Sequence, residues 1–137
     1  MTAQKTAQDL IAAYYTAFNA GDAEGMLALV SDDIEHHVNQ GAIRRGRAKF
    51  AEFCAHMGVS YREELKDIVI FASEDGSRGA AEFVVHGVYL KTDPGLPEAK
   101  GQRYVLPAGS FFAFAGGKIT RVTTYYNLQD WVDQVSV

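Results

Sequence analysis

The chain has 137 residues, enough for a single domain spanning 1–137 that buries about two-thirds of the surface its unfolded form exposes. Hydrophobic residues make up 47% and charged residues 22%, and the net charge of −4 excludes nucleic acid as the main partner, because phosphate binding needs a concentrated basic surface. Cys54 is the only cysteine, which rules out an intrachain disulfide. No signal-peptide pattern occurs and no apolar run approaches the ~20 residues that span a bilayer, so a soluble cytoplasmic protein without a membrane partner is expected.

Residues 6–22, TAQDLIAAYYTAFNAGD, place Leu10, Tyr14, Ala17 and Phe18 at helical spacing, with Ile11 and Tyr15 flanking the stripe. Gly21 stops this helix, and Asp22 stands where it caps the next, AEGMLALV. The run SDD (31–33) breaks that second helix, and IEHHV (34–38) is short and extended in character. IRRGRAK (43–49) is the one basic cluster, either a solvated loop entering a helix or a rim that attracts an acidic ligand. GRAKFAEFCAHM (46–57) reads as a third helix, with Phe50, Phe53 and Met57 on one face and Cys54 as one more apolar residue.

The period then changes from helical to alternating. REELKDIVIFAS (62–73), RGAAEFVVHGVYL (78–90), QRYVLPAGSFFAF (102–114) and KITRVTTYYNL (118–128) read as strands rich in β-branched and aromatic residues. EDGS (74–77) and AGGK (115–118) are short enough for hairpin loops, whereas KTDPGLPEAKG (91–101) is a longer exposed loop. LQDWVDQV closes the chain as a short helix with Trp131 packed inward. Helices followed by an antiparallel meander make an α+β pattern, a curved sheet with helices on one face.

AAYYTAFNAGDAEGMLALVSDDIEHHV (12–38) and the strand–turn–strand FFAFAGGKITRV (111–122) resemble the NTF2-like superfamily, which includes ketosteroid isomerases and SnoaL-like polyketide cyclases. The resemblance covers nearly the whole chain and is nearest to SnoaL-like, ketosteroid-isomerase-related proteins. It implies an NTF2-like (cystatin-like) cone, a curved antiparallel sheet with three N-terminal helices packed on its concave face. By itself a shared fold transfers no activity. Ketosteroid isomerases use a tyrosine of the first helix as an oxyanion donor, and Tyr14 falls on that position. Their carboxylate base matches Val38 here, and their second oxyanion donor falls close to Ser110. With the base replaced by valine, a true ketosteroid isomerase is not expected. In SnoaL-like relatives a histidine and an aspartate at this strand end act as acid and base; His37 matches the histidine and Val38 the aspartate. The loop after Val38 is shorter than in the isomerases, which leaves Asn39 or His37 to take the aspartate's place.

Strand alternation sorts IEHHVN into two faces. Ile34, His36 and Val38 share one, and the apolar pair points it into the cone; Glu35, His37 and Asn39 share the other unless a bulge re-aims one of them. Adjacent strand residues diverge, so His36 and His37 do not chelate one ion, and no H-x-H, H-E-x-x-H or C-x-x-C spacing occurs, so no metal is expected. No phosphate-binding glycine loop is present either, and no cofactor is implied. Alternation also lines the cone with Ser110 and Phe112, with Tyr126, and with Phe83 and Gly87, the glycine leaving room for a ligand. With Phe18, Val38, Phe53 and Trp131 these residues describe an apolar cavity with a few hydroxyls, suited to a small hydrophobic molecule. Two functions follow. One is a cofactor-independent isomerase or cyclase that moves a proton beside a carbonyl, with Tyr14 and Ser110 on the enolate oxygen, His36 or His37 carrying the proton and Asn39 orienting. The other is a non-catalytic ligand-binding or dimerisation module. Both imply a homodimer through the exposed sheet face.

Overall fold

The computed structural model describes residues 2–39 and 41–137. Helix α1 (Ala3–Asn19) is capped by the Thr2 hydroxyl and buries Ala7, Ile11, Tyr14, Tyr15 and Ala17. A five-residue helix, α2 (Ala23–Leu27), follows and leads into strand β1 (Val30–Val38). Two-residue β2 (Arg44–Arg45), helix α3 (Arg47–Ser60), β3 (Tyr61–Ala72), β4 (Arg78–Tyr89), β5 (Arg103–Ala115), β6 (Lys118–Tyr126) and helix α4 (Leu128–Val135) complete the order.

The six strands form one sheet in the order β2-β1-β6-β5-β4-β3. β3 to β6 make the expected antiparallel meander. β1 departs from it, running parallel to β6 with Glu35–Val38 against Arg121–Thr124, so the sheet is mixed. β1 also starts earlier than the SDD break suggests. Ser31, Asp32 and Asp33 lie within the strand, across a register shift between Val30 and Glu35. Asp32 pairs with Arg47 at 2.7 Å, and the same guanidinium donates to the Val30 carbonyl at 2.6 Å. The basic cluster is therefore a short strand paired antiparallel to β1, after which Gly46 (φ +92°) turns the chain into α3.

The NAGD segment has a physical role at each polar position. Asn19 accepts from the Leu65 N–H at 2.8 Å and donates to the Leu65 carbonyl at 3.0 Å. β3 is the sheet edge, so this amide stands in for a missing neighbouring strand. Gly21 adopts φ +68°, and Asp22 caps α2 by accepting from the Gly25 N–H at 2.9 Å. Asn19→Ala is expected to destabilise the fold by about 1–2 kcal/mol through the two unpaired edge groups. A urea midpoint equal to that of the parent would show that water replaces the amide.

Helices pack on one face of the sheet. Ile11, Tyr14, Tyr15, Val30, Ile34, Phe50, Phe112, Ile119 and Val122 form one part of the hydrophobic core, at one end of the sheet. α4, capped by Asn127, seats Trp131 against Tyr89 (4.9 Å between ring centres), Tyr104 (5.9 Å) and Tyr61 (6.1 Å) at the other end. None of the helices among the described residues is long and apolar enough to cross a membrane.

Candidate functional site

Between these two clusters the concave face leaves a cavity of about 780 Å³, walled by α1, α3, α4 and the inward residues of the strands. Its lining includes most of the residues expected from the sequence to face the interior: Tyr14, Phe18, His36, Val38, Phe53, Phe83, Ser110, Tyr126 and Trp131. Cross-strand register organises them. His36 shares a rung with Arg44 on β2, Val122 on β6 and Phe112 on β5, whereas Val38 shares the next rung with Thr124 and Ser110.

His36 is only 2% exposed, its ring held between Phe50 (5.1 Å) and Phe53 (4.4 Å). Its Nδ1 atom is buried and has no hydrogen-bond partner among the described residues. Burial first, then the electrostatic influence of Arg44 and a smaller one from His37, push its imidazole down to about 4, so the ring is neutral at physiological pH. Tyr14 is equally buried, and desolvation holds its phenol well above the ordinary tyrosine range, keeping it a hydrogen-bond donor. Tyr15 stands edge-on to it at 5.2 Å and is raised by the same cause, against a weaker pull from Ser110. The Ser110 and Thr124 hydroxyls are 2.9 Å apart.

Four residues expected at the site do other work. His37 points to the opposite face, where Nε2 meets the Thr123 hydroxyl at 2.8 Å, so it is separated from the cavity by the sheet. Asn39 adopts a left-handed conformation (φ 51°) and accepts from the Tyr126 N–H at 2.8 Å while donating its own N–H to the Thr124 carbonyl. It terminates the parallel β1–β6 pairing and does not orient an imidazole. Phe112 is wholly enclosed, edge-on to Tyr14 (5.8 Å) and Tyr15 (5.9 Å), and belongs to the core. Gly87 makes room for the Tyr104 ring and not for a ligand, since a Cβ there would stand 2.2 Å from Tyr104 Cζ.

That glycine explains a residue that the chain-order reading passes over. Glu63, Gly87 and Tyr104 occupy one rung of β3, β4 and β5. Tyr104 lies across Gly87 and donates its hydroxyl to Glu63 Oε2 at 2.6 Å. Glu63 lines the cavity, and desolvation raises its carboxyl above the ordinary range, only partly offset by the Tyr104 hydrogen bond. The signal was present in YREEL, where alternation puts Glu63 with Tyr61 and Leu65 on one face and Arg62 with Glu64 on the other. At the rim, Tyr61 donates to Asp93 Oδ2 at 2.7 Å, and His56 Nε2 lies 3.0 Å from the same oxygen. Cys54 also lines the cavity, its thiol pushed up to about 11 by burial, which keeps it protonated. No group of three or more His, Cys, Asp or Glu side chains among the described residues is placed to hold a metal ion.

A curved sheet with helices closing a polar-flecked apolar cavity is an α+β architecture of the NTF2-like kind. The SnoaL-like domain model matches residues 11–122, and the chain belongs to the SnoaL-like domain family. Among solved structures it is similar to a candidate polyketide cyclase from Silicibacter sp. TM1040, with 61% identity over 98% of each chain and a TM-score of 0.95. A second candidate polyketide cyclase, from Xanthomonas campestris pv. campestris, is 54% identical over 98% of this chain and 99% of that one, with a TM-score of 0.94. An NTF2-like protein from Burkholderia xenovorans LB400 shares the fold at 14% identity, with a TM-score of 0.77 over 96% of this chain and 97% of that one. No curated protein matches.

Proposed function

We propose that the protein is a cofactor-independent enzyme that enolises a small hydrophobic 1,3-dicarbonyl compound and closes or isomerises it. The observation that carries this reading is a neutral, unpartnered imidazole, His36, enclosed by aromatic rings at the wall of the same cavity as the Tyr14 phenol. A ring with a pKa of about 4 is a weak base, so it removes only an activated proton, such as one flanked by two carbonyls. His36 takes that proton, and Tyr14 donates a hydrogen bond to the enolate oxygen that forms. In a cyclisation the enolate carbon attacks a second carbonyl of the same molecule, and the resulting alkoxide recovers the proton from the imidazolium. Nothing is consumed, so no cofactor is required. The candidate cyclase designation of the relatives supports the ring-closing form. Enolisation of ethyl 2-oxocyclohexanecarboxylate at pH 7, followed by the absorbance of its enol, tests the reading. Acceleration that saturates with substrate is expected; no acceleration would leave the alternative of a non-catalytic binding module.

A homodimer belongs to the same reading. Phe71, Ala80, Phe111, Thr123 and His37 form one rung of the outer sheet face, and Val69 and Tyr125 are joined by the next. Phe71 (54% exposed) and Phe111 (51%) make that face apolar enough to pair with a second copy. Native mass spectrometry is expected to give twice the chain mass, and Phe111→Lys to shift it to monomer. A parent protein that is monomeric at micromolar concentration would remove this part of the proposal.

A further inference from the structure

The cluster IRRGRAK contains three arginines in two different electrostatic situations. Arg45 is ion-paired with Glu35, and Arg47 with Asp32. Arg44 has no carboxylate within ion-pair distance among the described residues, and neither does Lys49. Alternation along β2 turns Arg45 outward to Glu35 and leaves Arg44 on the inner side, opposite His36. There it is half-buried, with its guanidinium carbon 4.7 Å from the centre of the Phe53 ring. A guanidinium held over an aromatic face keeps its N–H fork free in its own plane, the geometry that grips a carboxylate through two parallel hydrogen bonds.

Space for such a group is present beside it. A recess of about 260 Å³ is lined by Arg44, Lys49, Glu52, Phe53 and His56, and it shares Arg44, Phe53 and His56 with the main cavity. Two of its walls are unpaired cations; the one carboxylate, Glu52, reaches neither of them. We infer that the ligand of this cavity is a hydrophobic carboxylate, its anionic end seated on Arg44 in the recess and its apolar body extending past His36 toward Phe83 and Tyr126. This rests on the cavity being the ligand site, and it adds to that reading the charge and orientation of the ligand. Arg44 then selects among dicarbonyl compounds for those that carry an acid, and fixes which carbon lies beside His36. Its charge reaches that far, being the second cause after burial of the depressed imidazole.

Isothermal titration calorimetry of the intact protein at pH 7.5 with 2-naphthylacetate and its neutral isostere 2-naphthylacetamide separates the possibilities. The acid is expected to bind at least about tenfold more tightly than the amide, the scale of a charge-assisted hydrogen-bonded pair. In Arg44→Gln the two probes should bind within about twofold of each other, the loss falling mainly on the acid. Arg44→Lys, which keeps the charge without the fork, should retain part of the preference and guards against a folding defect in the glutamine variant. Equal binding of the two probes by the parent protein, or a preference that survives Arg44→Gln, overturns the carboxylate inference while leaving the cavity reading intact. Failure of the parent to bind either probe overturns both.

Discussion

Replacing His36 with glutamine is expected to slow the enolisation of ethyl 2-oxocyclohexanecarboxylate by roughly 10²- to 10⁴-fold, the usual contribution of a positioned general base. Glutamine keeps a polar group between Phe50 and Phe53 but cannot accept the proton. The pH profile separates loss of the base from loss of shape. In the parent protein the imidazole accepts a proton only as the free base, so the rate should rise with pH up to about 4 and stay level above it. The glutamine variant should lack that rise. A variant that keeps the parent rate would move the base elsewhere, and Glu63, the half-buried carboxyl of the same cavity, is then the group to replace.

The same ionisation contributes to the acid sensitivity of the fold. His36 is depressed in the native state, so between its unfolded value near 6.5 and about 4 the unfolded chain binds a proton that the folded chain refuses. Stability is therefore fully present above about pH 6.5 and falls as the pH drops through that window, by roughly 3 kcal/mol at most. The glutamine variant should lose less stability over this range, which gives its folding an independent check.

Gly87→Ala is expected to lower stability by about 2–4 kcal/mol, although it adds one methyl group. The new Cβ would meet Tyr104 at 2.2–2.5 Å along the far side of its ring and at its hydroxyl. An exposed tyrosine would swing away, but Tyr104 is 2% exposed and packed against Trp131. Displacing it also breaks the 2.6 Å hydrogen bond to Glu63 and takes that partner from a half-buried carboxyl. A double-mutant cycle with Tyr104→Ala isolates the cause, because once the ring is gone the alanine at position 87 should cost little. Additive losses in urea denaturation would show that Tyr104 is not what Gly87 accommodates. The cycle bears on the cavity too, since Tyr104 holds the one carboxyl that β3 contributes to it and partly offsets the desolvation that raises that carboxyl.

Local periodicity and tertiary packing contributed differently to this protein. The 3.6- and 2-residue periods of its apolar residues laid out the helices and the meander, because both follow from the direction of successive Cβ atoms. The same rule grouped His36 with Ile34 and Val38 on the inward face and His37 on the other, a bulge at the strand end being the one alternative it left open. It would have placed Glu63 inward as well, had a charged residue in a strand been read by its face and not by its polarity. Motif resemblance carried the NTF2-like architecture. Neither source told which inward residues meet open space. Phe112 and Gly87 both lie on the correct face, yet one is enclosed by Tyr14 and Tyr15 and the other is covered by Tyr104. Arg44 likewise depended on a two-residue strand pairing with β1, and on Glu35 and Asp32 taking up its neighbours. Facing is a property of one strand and can be read from it. Occupancy of space and the pairing of charges depend on register across six strands and on side chains far apart in sequence, so only the folded chain decides them.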